Sequence, residues 1–226
     1  KGGKNAKIAI KYKRQGKILT TELILEEVKV KDVPFFGKVD DKTGYIVLSQ
    51  FKRKASSETK AALESLKKDG VEKIILDLRG NPGGLLHEAV NICNLFVPKN
   101  EVIVTTKSKI EQHNNSYKTT FEPVDLEIPL VILVDGKSAS ASEIVAGALQ
   151  DLDRAVVIGS RSFGKGLVQR PIDLVYGTQV KVTISRYYTP SGRNIQALNY
   201  THKDKDGKAI RTASTNYNAF KSKKGR

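Results

Sequence analysis

Between residues 44 and 158, short apolar runs alternate with amphipathic stretches, and this alternation restricts the fold more than any other feature of the 226-residue chain. Residues 45–49, 73–77, 130–134 and 155–158 have the length and apolar content of strands. Residues 57–68, 85–96 and 142–152 carry apolar side chains at helical spacing, and Gly70 closes the first of these. Strands so short and so uniformly apolar belong in a mainly parallel α/β sheet, with helices expected on both faces.

Ahead of this pattern, residues 6–14 and 18–30 read as a β-hairpin around Arg14-Gln15-Gly16-Lys17. Two strands alone are marginal in water, so the hairpin is expected to close a truncated module or to pack on the main body. Residues 33–37 read as a linker, and residues 178–188 alternate as an outer strand would. The net charge of +15 collects at the ends: residues 1–31 hold nine Lys/Arg against three Glu, and residues 200–226 hold eight against two Asp. A nearly neutral body between basic margins argues against a dedicated nucleic-acid groove. The polar, lysine-rich end is expected to be irregular. Cys93, the one cysteine, falls in the 85–96 helical pattern and reads as a buried structural thiol. No apolar run approaches the ~18 residues of a membrane span. The chain opens on Lys1-Gly2-Gly3, without a signal peptide or a starting methionine, and is expected to be a piece of a longer protein.

Three turns carry residues suited to chemistry. Asp77-Leu-Arg-Gly-Asn-Pro-Gly-Gly84 leads from a strand into a helix and exposes backbone N–H groups that suit an oxyanion or a phosphate, or it is simply a tight turn. Ser138-Ala-Ser-Ala-Ser142 follows the apolar run at 131–134, and Ser140-Ala-Ser-Glu143 fits a capping box. A nucleophile there would sit beside free helix-start donors, but spacing leaves Ser138, Ser140 and Ser142 all open, with Glu143 favouring Ser140 as the cap. Gly164-Lys165-Gly166 departs from the phosphate loop, which needs a hydroxyl at 166, and a proline-bearing strand follows it where that loop requires a helix. A buried lysine gives up its proton readily and can activate a serine; the plainer reading is an exposed turn lysine. His87, His113 and His202 lack an evident Asp partner, which disfavours a Ser-His-Asp triad and a metal site.

Taken together, residues 44–51 (Gly-Tyr-Ile-Val-Leu-Ser-Gln-Phe), 77–84, 138–144, 163–169 and Arg186-Tyr-Tyr-Thr-Pro-Ser-Gly192 resemble the carboxy-terminal processing proteases. These are tail-specific serine peptidases of bacterial envelopes and chloroplasts. The resemblance implies a crotonase/ClpP-like α/β core over residues 32–199. It makes residues 1–31 the C-terminal part of a truncated PDZ domain, a module that captures a free C-terminus by strand addition, and residues 200–226 a basic tail. It implies Ser140 as nucleophile and Lys165 as its base, uncharged in a desolvated pocket within hydrogen-bond reach. It also implies Gln169 orienting the lysine, and an oxyanion hole from the amides of Ala141 and of Gly83 or Gly84. No cofactor or metal is expected. Protein or peptide substrates held through their C-terminal region are implied, without nucleic acid, as are contact with a membrane surface through the full-length protein and a place in the bacterial cell envelope. The competing readings are a non-catalytic peptide-binding homologue and a crotonase-like acyl-CoA enzyme, which gives the Ser140/Lys165 pair no role.

Overall fold

The computed structural model describes residues 2–28, 30–211 and 220–225, and the chain divides into two units between Lys31 and Asp32. The first unit is a hairpin of β1 (Lys7–Arg14) and β2 (Lys17–Ile24), with Arg14 facing Lys17 across Gln15-Gly16. Both turn residues have positive φ, 49° and 77°, as a type I′ turn requires. The register sets Ile8, Ile10 and Tyr12 opposite Leu23, Thr21 and Leu19, so one face is largely apolar and lysines alternate onto the other. The second strand stops at Ile24, short of the expected residue 30.

The second unit starts with a strand where the sequence suggested a linker. β3 (Phe35–Asp40) pairs antiparallel with β4 (Thr43–Val47). Pro34 stands just before the strand, where its missing N–H costs no ladder bond, and the Phe35 and Tyr45 rings meet at 6.2 Å. Then come α1 (Ala55–Lys68), β5 (Lys73–Asp77), α2 (Leu86–Asn94), β6 (Val102–Lys107), β7 (Asn115–Lys118), β8 (Leu130–Val134), α3 (Ala141–Asp151) and β9 (Val156–Gly159). After these follow β10 (Leu167–Asp173), β11 (Gln179–Tyr188), β12 (Leu198–Lys203) and β13 (Ala209–Arg211). The last two pair antiparallel, so part of the tail expected to be irregular is a short hairpin; residues 212–219 of that tail lie outside the described residues.

The main sheet has the order β3-β4-β5-β8-β9, and its last three pairings are parallel. Ile46, Ile74, Leu76 and Ile132 are fully buried in one core with Leu63, Leu66, Ile92, Ile144 and Leu149 from the helices. Gly44 shows how close that packing is: a β-carbon there would lie 2.9 Å from side-chain atoms of both Ile74 and Leu66. The alternate residues Tyr45, Val47, Ile75, Val131 and Leu133 are only half-buried. The sheet is therefore sealed on one face and partly open on the other, where cover on both faces was expected. A second, antiparallel sheet runs β10-β11-β6-β7. Cys93 is buried on α2, and burial pushes its thiol pKa well up, as a structural thiol requires. Among the described residues, no helix is long and apolar enough to cross a membrane.

What the topology does for chemistry follows from the three parallel neighbours. β5, β8 and β9 run in the same direction, with Asp77 beside Leu133 and Val134 beside Gly159 at their C-terminal ends. The glycine, serine and lysine turns therefore leave the sheet side by side at its carboxyl edge, where open α/β sheets gather their sites.

Candidate active site

The serine turn is tied to the glycine turn by a dense set of hydrogen bonds. Leu78 N donates to Leu133 O at 2.9 Å and Ala139 N to Asn81 O at 3.0 Å. Asp135 Oδ1 accepts from Gly80 N at 2.9 Å, and also from the amides of Lys137 and Ser138. The bond from Gly80, then the other donors, hold this carboxyl below the usual aspartate range. Ser138 Oγ donates to Leu78 O at 2.7 Å and Ser142 Oγ to Asn81 O at 3.0 Å, and both serines are fully buried.

This geometry separates three serines that spacing could not. Ser138 and Ser142 spend their hydroxyls on buried carbonyls. Ser140 is half-exposed and lies at φ 57°, ψ −110°, far from the extended backbone of an ordinary capping residue. A serine strained at a sharp strand-to-helix turn is the arrangement that presents a hydroxyl above a sheet. Ser140 N donates to Glu143 Oε2 at 2.8 Å, so the glutamate half of the capping box is formed.

The glycines explain the close approach. A β-carbon on Gly83 would lie 2.5 Å from Ala139 O and 2.9 Å from both Ala141 N and Ser140 Cβ. On Gly84 it would lie 2.2 Å from Phe51 O. Asn81, fully buried, anchors this turn: its Nδ2 donates to Leu48 O at 2.7 Å while its Oδ1 accepts from Gly83 N at 2.9 Å. Phe51 N donates to Gly83 O and Leu85 N to Phe51 O, so in this extended stretch the Gly84 N–H faces away from Phe51. Ala141 opens α3, and its N–H has no intrahelical acceptor. Among the described residues, the amides of Ala141 and Gly84 make no hydrogen bond, whereas that of Gly83 is already taken.

The lysine turn hangs from one carboxylate. Glu143 is buried, and its Oε1 accepts from Ser162 Oγ at 2.8 Å and Gly164 N at 2.6 Å. Its Oε2 accepts from Lys165 N at 2.8 Å, besides the bond from Ser140 N. The amides of residues 140 and 165 therefore share one oxygen and lie no further apart than twice that distance. From the other side, Ala197 N donates to Gly164 O at 3.0 Å and Gly166 N to Gln196 Oε1 at 2.9 Å. Phe163 N donates to Ser138 O at 3.0 Å.

The Lys165 side chain is exposed, and among the described residues its ammonium makes no hydrogen bond or ion pair. The desolvated pocket and the direct bond to Ser140 expected for it are not formed here. Gln169 Nε2 donates across the β10–β11 pair to Thr183 Oγ1 at 3.4 Å and does not reach Lys165. His87 Nε2 is 3.4 Å from Glu88 Oε1 on α2, and the His202 side chain lies outside the described residues. Beneath the glycine turn, Asp77 takes a bidentate grip from Arg79 and a hydrogen bond from Tyr45. Sequence reasoning missed Glu143 as the bridge between the two turns; its only local signal was the capping box, which accounts for one of its four donors.

Known proteins resemble this chain over most of its length. The model of peptidase family S41 matches residues 42–203. A carboxyl-terminal-processing protease of Synechocystis is 37% identical over 203 residues, covering 88% of this chain and 47% of that protein. A carboxy-terminal-processing protease of Bartonella bacilliformis is 40% identical over 189 residues, covering 82% of this chain and 43% of that protein. The solved structure of a photosystem II D1 C-terminal processing protease aligns with a TM-score of 0.67 at 29% identity, over 93% of this chain and 55% of its own. The chain thus spans less than half the length of the two relatives. A match over most of the chain, with the glycine, serine and lysine turns all inside it, assigns the chain to peptidase family S41.

Proposed function

We propose that this chain is the catalytic core of a serine endopeptidase that cleaves proteins near their C-termini. The observation that carries the reading is the joining of a strained Ser140 and the Lys165 turn through the single carboxylate of Glu143. Lys165, as the free amine, takes the proton from Ser140 Oγ as that oxygen attacks the scissile carbonyl. The negative charge moves to the carbonyl oxygen, and the amides of Ala141 and Gly84 receive it. Return of the proton to the leaving amine breaks the peptide bond, and water then releases the acyl group from Ser140. The exposed lysine must turn inward for this, and a bound substrate strand covering the turn would exclude the water that now surrounds it. Gln169, on the strand after the turn, would orient the amine in that closed arrangement.

Residues 1–31 are read as the closing hairpin of a PDZ domain and the parallel-sheet unit as a crotonase-like core. Capture of a free substrate C-terminus, contact with a membrane surface and a place in the bacterial cell envelope would then belong to the full-length protein. The test is hydrolysis of a quenched reporter peptide by the 226-residue chain. Ser140→Ala and Lys165→Ala are each expected to lower turnover by roughly 10⁴-fold or more, with unchanged circular dichroism. A serine-directed fluorophosphonate should label the parent chain at Ser140. Turnover in Ser140→Ala equal to the parent would reject the assignment.

A further inference from the structure

A cavity of about 710 Å³ is lined by Ser162 and Gly164 of the lysine turn and by Glu143, but by neither Ser140 nor Lys165. Its volume is that of a small-ligand site, typically about 300–1,000 Å³. Three arginines also line it, Arg161, Arg186 and Arg193, and among the described residues Glu143 is its only acid. Both oxygens of that carboxylate are already occupied by four donors, so it is poorly placed to neutralise Arg186 as well. Arg193 is met by Asp151 Oδ1 at 2.9 Å and Gln150 Oε1 at 3.0 Å. Arg186, exposed on β11, has no side-chain partner among the described residues. The remaining walls mix apolar and amide side chains.

A guanidinium fork in a partly apolar cleft matches a carboxylate borne on a carbon chain, because the two planar groups pair bidentately. The wall formed by residues 194–199 also holds the lysine turn, through the Gln196 and Ala197 contacts. A ligand seated here would therefore press on both supports of that turn. We propose that this cavity binds an acidic peptide segment, and that its occupancy sets the position of the turn carrying Lys165. The regulatory half rests on the reading of Lys165 as the base; the binding half does not.

The experiment uses the full 226-residue chain with Ser140→Ala, so that the probe is not hydrolysed. Fluorescence anisotropy would follow a labelled hexapeptide of alternating Glu and Leu, with its Gln-for-Glu counterpart as the neutral control. Binding of the acidic peptide should weaken about tenfold or more on adding Arg186→Ala. It should weaken less with Arg186→Lys, remain unchanged with Lys165→Ala, and exceed that of the neutral peptide at least tenfold. Equal affinity with and without Arg186 would overturn the site. So would an equal loss from Arg170→Ala, an exposed arginine outside the cavity, since that would reduce the effect to bulk charge. Displacement by an equal concentration of inorganic phosphate would overturn the peptide assignment. With Ser140 intact, saturating acidic peptide should shift the kcat for a neutral reporter by a factor of three or more, and not in Arg186→Ala. An unchanged kcat alongside Arg186-dependent binding would overturn the regulatory half. A chain that hydrolyses nothing yet binds in this way would keep the site and reject the peptidase reading.

Discussion

The serine turn and the lysine turn lie side by side at one sheet edge, yet they are built to different standards. Around Ser140, the two neighbouring serines, Asn81, Asp135 and the bare Cα of Gly83 fix the backbone from several directions. A residue at φ 57°, ψ −110° persists only where its surroundings over-determine it, and here they do. The lysine turn depends mainly on Glu143 and on the 195–197 stretch that follows β11, and the Lys165 side chain is exposed. On the proposed mechanism, the nucleophile would be completed by folding, whereas the base would be conditional on what covers it. A peptidase built in this way would be restrained until something covered the lysine turn.

The sharpest way to break this contrast is Gly83→Ala. The added methyl would meet Ala139 O at 2.5 Å, at a φ of +93° that an L side chain rarely adopts. The serine turn would have to move, and displacement of about 1 Å costs roughly 10²-fold in turnover. A stability loss of about 1–3 kcal/mol should accompany it, read by urea unfolding. Turnover close to that of the parent would mean that the serine turn is not over-determined.

Glu143→Gln strikes the weaker side. The amide NH₂ replaces one acceptor oxygen, so it must face donors that need an acceptor, and the charge that strengthens all four bonds is lost. Turnover should fall by about tenfold to 10²-fold with KM little changed. Hydrogen exchange should accelerate at Gly164 and Lys165 while the amides of Gly80 and Ala139 stay protected. Equal acceleration at all four would merge the two turns into one structural unit and end the comparison.

How much of this could be seen in the sequence follows the range of the interactions. β5 and β8 were legible to the residue because apolar runs bounded by Asp and Gly need no partner to be recognised. Ser140 was favoured at the helix start because Glu143 stands three residues later. β3 was missed because Pro34 and Gly37 mark a linker locally, and only pairing with β4 makes the stretch a strand. β12 and β13 were hidden in the same way, their polar residues ordered by each other. The bridging role of Glu143 was illegible because three of its donors, Ser162, Gly164 and Lys165, lie about twenty residues further along. The split between Gly83 and Gly84 needed the side chain of Asn81.

Asp77→Asn should have a smaller effect, confined to the support of the glycine turn. Asp77 is 5% exposed at the end of β5. Burial alone would raise its pKa, but the Arg79 guanidinium, then the Tyr45 hydroxyl and the Arg79 amide, outweigh it and hold the carboxyl below the ordinary value. A lowered folded-state pKa contributes stability that is complete above the unfolded value of about 3.9 and is lost as the pH falls through the folded value. The substitution keeps an acceptor and the shape but removes the charge facing Arg79, at a cost of about 1–2 kcal/mol at pH 7. Urea unfolding should therefore show a constant gap between variant and parent from about pH 5 to 7 that closes below about pH 4. Turnover should change less than threefold, because the pair lies under the glycine turn and touches neither Ser140 nor the lysine turn. A gap that persisted after the Asp77 carboxyl had titrated in the folded protein would place the cost in the packing of the substituted amide, not in the ion pair.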